Sequence, residues 1–283
     1  MSAPTRTREA PAGDPAGTPR EGARAEGPAA AAAAATGAAR VGTERREQDA
    51  GAGARARTGM AAAVGALLRK ELLVEVRTLE SVPGMSLFAV STFVVFHFAL
   101  NRGSVTGQLA AGILWVTLLL AAMLGINRLF VADAEQGGFD GFLLAPVDGT
   151  ALLVAKAGAL AIYLVALELV AVPAFALLLL GSSLWQAMPA LLGVLALADL
   201  GVALIGTLVA ALAVRTRARD LLGPLMALPL LVPVVIGAAR ASAPLLQLGH
   251  AGAVGARWWA TLALYDFVFA LIAYALFDFL LED

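Results

Sequence analysis

The chain has 283 residues, of which 60% are hydrophobic and 14% charged, and it carries a net charge of −1 with no cysteine. A soluble domain of ordinary composition has about 25% charged residues, so this chain is too apolar for that class. Its charge balance excludes a basic nucleic-acid-binding protein. The lack of cysteine excludes disulfides, thiolate catalysis and cysteine-ligated metal.

The N-terminal segment, residues 1–59, is rich in Ala, Gly, Pro, Arg and Glu and contains no aromatic side chain. Such a segment buries too little apolar surface to offset the entropy lost on ordering, so we predict a disordered tail. The run Ala29–Ala35 is too weakly apolar to be the core of a signal peptide. Organised sequence begins at Met60, which makes Met60 a candidate translation start.

Residues 60–81 predict a basic amphipathic helix. Arg69, Lys70 and Arg77 lie off its apolar stripe, and Pro83 and Gly84 are expected to break it. A basic amphipathic helix joined to a span is typical of the membrane interface; a cytosolic helix packed on the inner loops is the alternative. The stripe consists of residues spaced by three and four: Val64, Leu67, Leu68, Leu72, Val76 and Leu79.

Residues 82–283 form the membrane domain and contain six apolar blocks. Each block has about 19 to 28 residues, and ~20 helical residues cross a hydrocarbon core about 30 Å thick. Lipid offers no partner to an unpaired backbone group, and the blocks lack the alternation of a membrane barrel. The predicted fold class is therefore an all-α membrane protein with six transmembrane helices. The blocks are Val82–Leu100, Val105–Ile126, Ala157–Leu180, Ala187–Val214, Leu221–Ala239 and Trp258–Leu281.

The distribution of Lys and Arg predicts that both termini are cytoplasmic, because these residues gather on the inner side. With the N-terminus inside, the outer set is Arg102, Arg240 and Arg257. The inner set is larger: Arg69, Lys70, Arg77, Arg128, Lys156, Arg215, Arg217 and Arg219.

The connection at residues 127–156, between the second and third blocks, is the longest one inside the membrane domain. Its apolar spacing predicts a short amphipathic helix that begins after Gly138 and ends before Pro146. An exposed apolar helix face favours a protein partner; packing on the chain's own membrane domain is the alternative. The candidate contact residues are Asp133, Glu135, Gly138, Phe139, Asp140, Phe142, Leu143, Leu144 and Pro146.

Two carboxyls are predicted near the middle of their spans, Glu168 in the third block and Asp199 in the fourth. The two blocks are antiparallel, so both acids are expected at one depth. A carboxyl at the bilayer centre costs a few kcal/mol unless it is protonated or paired, which predicts neutral acids or hydrogen bonds to Tyr163 or the backbone. They form either a polar seam used in a conformational cycle or interhelical hydrogen bonds of ~1 kcal/mol each.

The fifth block contains Pro224, Pro229 and Pro233, each of which removes a backbone donor and is expected to kink the helix. Such kinks either line a cavity or act as a hinge, and a static bend is the alternative.

The chain offers little chemistry of its own. A P-loop needs Gly before its Lys, and neither Lys70 nor Lys156 follows a glycine. His97 and His250 are too few for a multi-histidine metal site, and we expect them to pack or to be solvated rather than to ligate haem iron. We therefore expect no enzyme activity, no metal and no cofactor bound by this chain.

The order and spacing of these elements resemble permeases of ABC-2 type exporters and, among them, the CcmB family of haem exporter B proteins of cytochrome c-type biogenesis. The resemblance covers about residues 62 to 281. Asn127 stands where the family usually has Asp, and Phe139-Asp140 where it usually has Leu-Glu. The matching stretches are Leu67-Leu68-Arg69-Lys70-Glu71-Leu72, Asn127-Arg128-Leu129-Phe130, residues 135–146, Leu153-Val154-Ala155-Lys156 and residues 228–237.

The resemblance implies a permease subunit, paired as a dimer in the bacterial cytoplasmic membrane, that works with a separate cytosolic ATPase, CcmA. Its other implied partners are the haem-handling proteins CcmC, CcmD and CcmE. Haem is then a cargo rather than a resident cofactor, or ATP is used to release the haem-loaded chaperone. An ABC-2 permease that exports a drug, lipid or glycan is the alternative within the class; a membrane-embedded enzyme and a scaffold are alternatives outside it.

Overall fold

The computed structural model describes residues 59–100, 104–129, 149–180, 184, 187–214, 219–247 and 252–282. The predicted disordered tail lies outside these ranges. So do residues 130–148, which contain every candidate contact residue of the long connection. Within the described ranges every regular element is a helix, which confirms the predicted all-α fold class.

The first helix, α1, is described over residues 59–78. Six longer helices follow within the described ranges, and each is long and apolar enough to cross a membrane, so the chain is a multi-pass membrane protein with the predicted number of spans. They are α2 (Ser81–Leu100), α3 (Gly107–Arg128), α4 (Gly149–Phe175, extended by the π-helical turn Ala176–Leu180), α5 (Met188–Val214), α6 (Arg219–Ser242) and α7 (Ala256–Glu282).

The start of α4 differs most from the predicted blocks. The helix begins at Gly149 rather than at Ala157. The sequence pattern began the third apolar block just after the charge of Lys156. That side chain is nevertheless buried inside the protein, with 1% of its surface exposed. The described helices leave only residues 130–148 between α3 and α4.

The turn between α1 and α2 lies at Leu79, which has a left-handed backbone with φ of 50°. The predicted break at Pro83 and Gly84 is therefore wrong, since both residues belong to the first turns of α2. Proline is tolerated there because the first N–H groups of a helix have no partner within it.

Glu75 of α1 stabilises this turn by capping α2. Its Oε1 accepts hydrogen bonds from the amides of Ser81 (2.9 Å) and Val82 (2.8 Å). These are two of the four N–H groups that the start of a helix leaves unpaired, and a carboxylate is also favoured at that end of the helix dipole. One side chain of α1 thus determines where α2 begins.

Part of the apolar stripe of α1 packs on the membrane helices. Leu67, Leu68 and Leu72 contact the core cluster, and Leu68 lies within van der Waals distance of the position that a Cβ on Gly158 of α4 would occupy. Val76 remains 69% exposed. The predicted helix is therefore present and its stripe is partly covered, while its place in the membrane interface stays a prediction.

The core lies around α3 and α5, which are the most buried spans, whereas α2 and α7 are the most exposed. Gly206 of α5 lies against side chains of both α3 and α4: a Cβ there would be 2.7 Å from Ile126 Cγ1 and 3.0 Å from Leu160 Cδ2. Small residues allow helix backbones to approach in membranes, where close packing drives association.

The three prolines of the predicted kinked span lie inside α6, which continues as a helix through all of them. Tyr265 of α7 donates a hydrogen bond of 2.7 Å to the carbonyl of Leu230 in this part of α6. A further proline, Pro173, lies inside α4 shortly before the π-helical turn. The hinge role of Pro224, Pro229 and Pro233 stays a prediction.

Gly206→Leu is expected to lower the free energy of unfolding by about 1–3 kcal/mol, because a larger side chain overpacks the contact with Ile126 and Leu160. The matched control is Gly112→Leu, since a Cβ at Gly112 meets nothing within 4 Å. Thermal unfolding of the purified proteins in detergent measures the difference. Equal unfolding temperatures for the two variants would contradict this packing.

Candidate functional site

A buried ion pair joins α1 to the membrane helices. Lys156 Nζ lies 3.0 Å from Glu71 Oε1 and donates a hydrogen bond of 3.0 Å to the carbonyl oxygen of Leu129. These groups come from α4, α1 and the residue that follows α3. Removing an ammonium group from water costs several kcal/mol unless an opposite charge and hydrogen bonds compensate, so the Glu71 carboxylate stabilises both this lysine position and the placement of α1.

Tyr163 belongs to the same group of contacts, because its hydroxyl donates a hydrogen bond of 3.3 Å to the carbonyl oxygen of Glu71. It follows Lys156 by about two helical turns and therefore shares its face of α4. Of the possibilities that the sequence left open for the two acids, a hydrogen bond from Tyr163 is not the one seen, since this hydroxyl donates to Glu71. We call Lys156, Glu71, Tyr163 and the Leu129 carbonyl the Lys156 cluster.

Two exposed ion pairs surround the Lys156 cluster. Lys70 Nζ lies 3.3 Å from Glu71 Oε1, and Arg128 Nη1 lies 3.1 Å from Glu80 Oε2. Pairs of this kind contribute about 0–1 kcal/mol because water screens them. Arg128 nevertheless joins the end of α3 to the turn between α1 and α2.

We call residues 130–148, which contain every candidate contact residue, the candidate coupling segment; the Lys156 cluster lies beside the described residues that flank it. The described part of the chain ends at Leu129 and resumes at Gly149, the first residue of α4. Lys156 contacts the carbonyl of Leu129 directly. A force on residues 130–148 would therefore act on α3, α4 and, through Glu71, on α1.

A second polar site lies inside the helix bundle. Glu168 of α4 and Asp199 of α5 lie beside the same cavity, as expected for two acids at one depth. They line a cavity of about 20 Å³, which is room for about one water molecule. The other lining residues are Trp115, Leu118, Leu119, Ala122, Leu164, Leu167, Val202 and Val235.

The described protein around the carboxyl pair leaves two of its oxygens without a hydrogen bond. Within the described residues, Glu168 Oε1 and Asp199 Oδ2 have no hydrogen-bond partner. The indole N–H of Trp115 is directed elsewhere, to Ser242 Oγ at 3.0 Å, and that hydroxyl donates to the carbonyl of Ala238 at 2.8 Å. The two acids are thus left with each other and with the cavity.

The structure gives no sign of a metal or haem ligand set in its described part. No group of three His, Cys, Asp or Glu residues is found there that could hold a metal ion. His97 Nδ1 lies at hydrogen-bonding distance from the carbonyl of Leu178, in the π-helical turn after α4, so the histidine packs against a neighbouring span as expected. His250 lies outside the described residues.

A further buried carboxyl, Asp266 of α7, was not among the candidate site residues. It is 5% exposed, and its two oxygens have no hydrogen-bond partner within the described residues. Asp266 Oδ1 would lie 2.6 Å from a Cβ on Gly201 of α5, so it faces a different side of α5 from Asp199.

Comparison with known proteins identifies one family over nearly the whole described helical region, and individual relatives over more than half of the chain. The model of a family described as CcmB protein matches residues 62–279. The Heme exporter protein B of Rhodobacter capsulatus is 36% identical over 156 residues, which are 54% of this chain and 69% of the relative. Those of Paracoccus denitrificans and Bradyrhizobium diazoefficiens are both 36% identical, over 166 residues (58% of this chain, 72% of the relative) and 187 residues (64% and 81%).

Lys156→Met is expected to lower the free energy of unfolding by about 3–5 kcal/mol, because it removes the buried cation of the pair and leaves the largely buried Glu71 carboxylate with only the half-exposed Lys70 beside it. Lys70→Met is the matched control: its amine lies 3.3 Å from the same carboxylate oxygen but is 45% exposed, so a loss of at most about 1 kcal/mol is expected. Denaturant titration of the purified proteins in detergent measures both.

Glu71→Gln combined with Lys156→Met is expected to recover most of the loss, since neither side chain is then charged. Equal losses of unfolding free energy in Lys70→Met and Lys156→Met would contradict the claim that the buried pair with Lys156 stabilises the fold more than the exposed pair with Lys70.

Proposed function

This chain belongs to the CcmB family, and we propose that it is the membrane permease subunit of an ATP-driven complex that acts in cytochrome c-type biogenesis. The proposal depends chiefly on one observation: the family match runs from α1 into α7 and thus includes all six spans. The names of the relatives point to haem export. In this proposal the complex either exports haem or uses ATP to release a haem-loaded chaperone.

The energy source of the complex would be a separate, CcmA-like ATPase. The two lysines of the chain, Lys70 and Lys156, do not follow glycine as a P-loop requires. Lys156 is in addition buried and paired with Glu71. The chain would therefore receive mechanical work from its ATPase and contribute no nucleotide chemistry.

The proposed ATPase contact is the segment 130–148, through the apolar face that contains Phe139, Phe142 and Leu143. Two features support this assignment. The segment joins α3 to α4, so its displacement would reach both spans. The Lys156 cluster would then pass the displacement to α1, because one ammonium group contacts both the Leu129 carbonyl and Glu71.

The remaining partners follow from the proposed family role. CcmC, CcmD and CcmE-like proteins would handle haem beside the permease, and a second permease copy would complete the transport path. The complex would lie in the bacterial cytoplasmic membrane, with both termini and the segment 130–148 on the cytoplasmic side, where the ATPase binds. Haem would be the cargo, with no resident cofactor on this chain.

Purification of the chain from its native membrane in mild detergent is expected to recover a CcmA-like ATPase together with a CcmC-like protein. Phe142→Asp and Leu143→Asp are each expected to abolish recovery of the ATPase, because a charge on the apolar face of the coupling segment cannot enter an apolar groove without a large desolvation cost. Mass spectrometry of the purified material, with the amount of inserted permease as reference, gives the result.

The matched control is Gln136→Asp, which places the same charge in the same segment at a position that is already polar. Unchanged ATPase recovery with Phe142→Asp would refute the proposed contact. Recovery of an unrelated ATPase without haem-handling proteins would move the assignment to an ABC-2 permease for a drug, lipid or glycan. Recovery of no ATPase at all would refute an ATP-driven role.

A further inference from the structure

We propose that Glu168 and Asp199 form an intramembrane site that binds one proton, held between their two carboxyls, with one water molecule in the adjoining cavity. The site would be a property of the helix bundle itself. It does not depend on the transported species or on the identity of the ATPase.

The geometry places the two acids at the contact between α4 and α5, where both line one cavity. Asp199 is 7% exposed, and its unpartnered Oδ2 belongs to a side chain that lines the cavity. A buried polar oxygen without a partner costs about 1–3 kcal/mol. The cavity has room for about one water molecule, which can supply the missing hydrogen bond.

None of the described residues that line the cavity carries a positive charge that could neutralise two carboxylates. Among the described residues, α3 contributes Trp115 and apolar side chains to the cavity, α6 contributes Val235, and the rest of the lining from α4 and α5 is apolar. Lys156 lies about 18 Å away along α4, at 1.5 Å per residue, and is paired with Glu71. Asp266 faces Gly201 on another side of α5.

Two neighbouring carboxyls in such a place are stable only if a proton lies between them. A hydrogen bond between carboxyl oxygens requires at least one of the groups to be protonated, and like charges this close in a medium of low dielectric repel strongly. Two carboxyls that occupy one site are known to share one proton, because both cannot be ionised so close together. One proton leaves a single charge, which the cavity water solvates.

A metal cation fits the site less well than a proton. Calcium takes six to eight oxygen ligands, and magnesium needs near-octahedral coordination. The cavity offers the four carboxyl oxygens and one water, and its other lining residues in the described chain present apolar groups or, at Trp115, an N–H donor that is already used.

The proposed proton would stabilise the contact between α4 and α5. Its loss leaves two like charges at one helix contact, which favours entry of water or separation of the two helices. Glu168 also belongs to the helix that begins at the candidate coupling segment. A conformational change transmitted along α4 would therefore be able to bind or release the proton.

Infrared spectroscopy of the full chain in lipid bilayers at neutral pH tests the site. The expected result is a C=O stretching band of a protonated carboxyl in the wild type, with the area of one group per chain, that is lost in the double variant Glu168→Gln, Asp199→Asn. Asp266→Asn is the matched control, since it removes a buried carboxyl outside the site and is expected to leave this band in place.

Three results would overturn the proposal. Identical carboxyl bands in the wild type and the double variant would mean that both acids are ionised. A lost area of two groups would mean two separate neutral acids and no shared proton. Disappearance of the band when sodium or potassium is added at constant pH would identify a cation site instead.

A measurement on the wild type avoids any effect of the variants on folding. A hydrophobic carbodiimide adds to a protonated carboxyl from within the membrane, and peptide mass spectrometry is expected to locate the adduct on Glu168 or Asp199. An adduct on Asp266 alone would count against the proposal.

Discussion

A charge inside a membrane protein must have a partner, and the position of Lys156 shows how much of a fold can follow from that requirement. The side chain is buried and its ammonium group lies against Glu71 and the Leu129 carbonyl. Breaking a buried ion pair costs several kcal/mol, so this contact favours the position of α1 against α3 and α4. The same contact allows α4 to begin at Gly149. The candidate coupling segment is therefore flanked by helices already joined to α1.

The bundle meets the same requirement differently at its centre. Near the start of α4 the Glu71 carboxylate compensates the charge of Lys156 in a direct ion pair. At Glu168 and Asp199 no cation is near within the described residues, so a proton is the compensating charge that we propose. The two sites lie on one helix, α4. A movement of that helix would disturb an ion pair at one end and a shared proton farther along, which gives the proposed transport cycle two polar contacts to break and remake.

The sequence was sufficient for the parts of the fold that depend on segment length and polarity. Six apolar blocks of spanning length predicted α2 to α7, and the antiparallel third and fourth blocks predicted one depth for Glu168 and Asp199, which line the same cavity. The long-range partners were not predictable: Glu71 and Lys156 are separated by two spans, and a lysine at the end of an apolar block ordinarily marks a boundary. Lys156 and Tyr163 share one face of α4, and this spacing could have predicted that both contact the same element, α1. The residues proposed to contact the ATPase lie in 130–148 and stay predictions.

The most direct test of this account is the solvent accessibility of α1, measured in a chain that has no cysteine of its own. Leu68→Cys places a thiol where α1 packs on Gly158. Val76→Cys, at a side chain that is 69% exposed, is the control for the reactivity of the reagent. A water-soluble maleimide should label Leu68→Cys slowly in membranes. Adding Lys156→Met should raise that rate by about tenfold or more, since each ~1.4 kcal/mol is a factor of ten, while the rate at Val76→Cys stays constant. An unchanged rate at Leu68→Cys would contradict the claim that the buried ion pair holds α1 against the membrane helices.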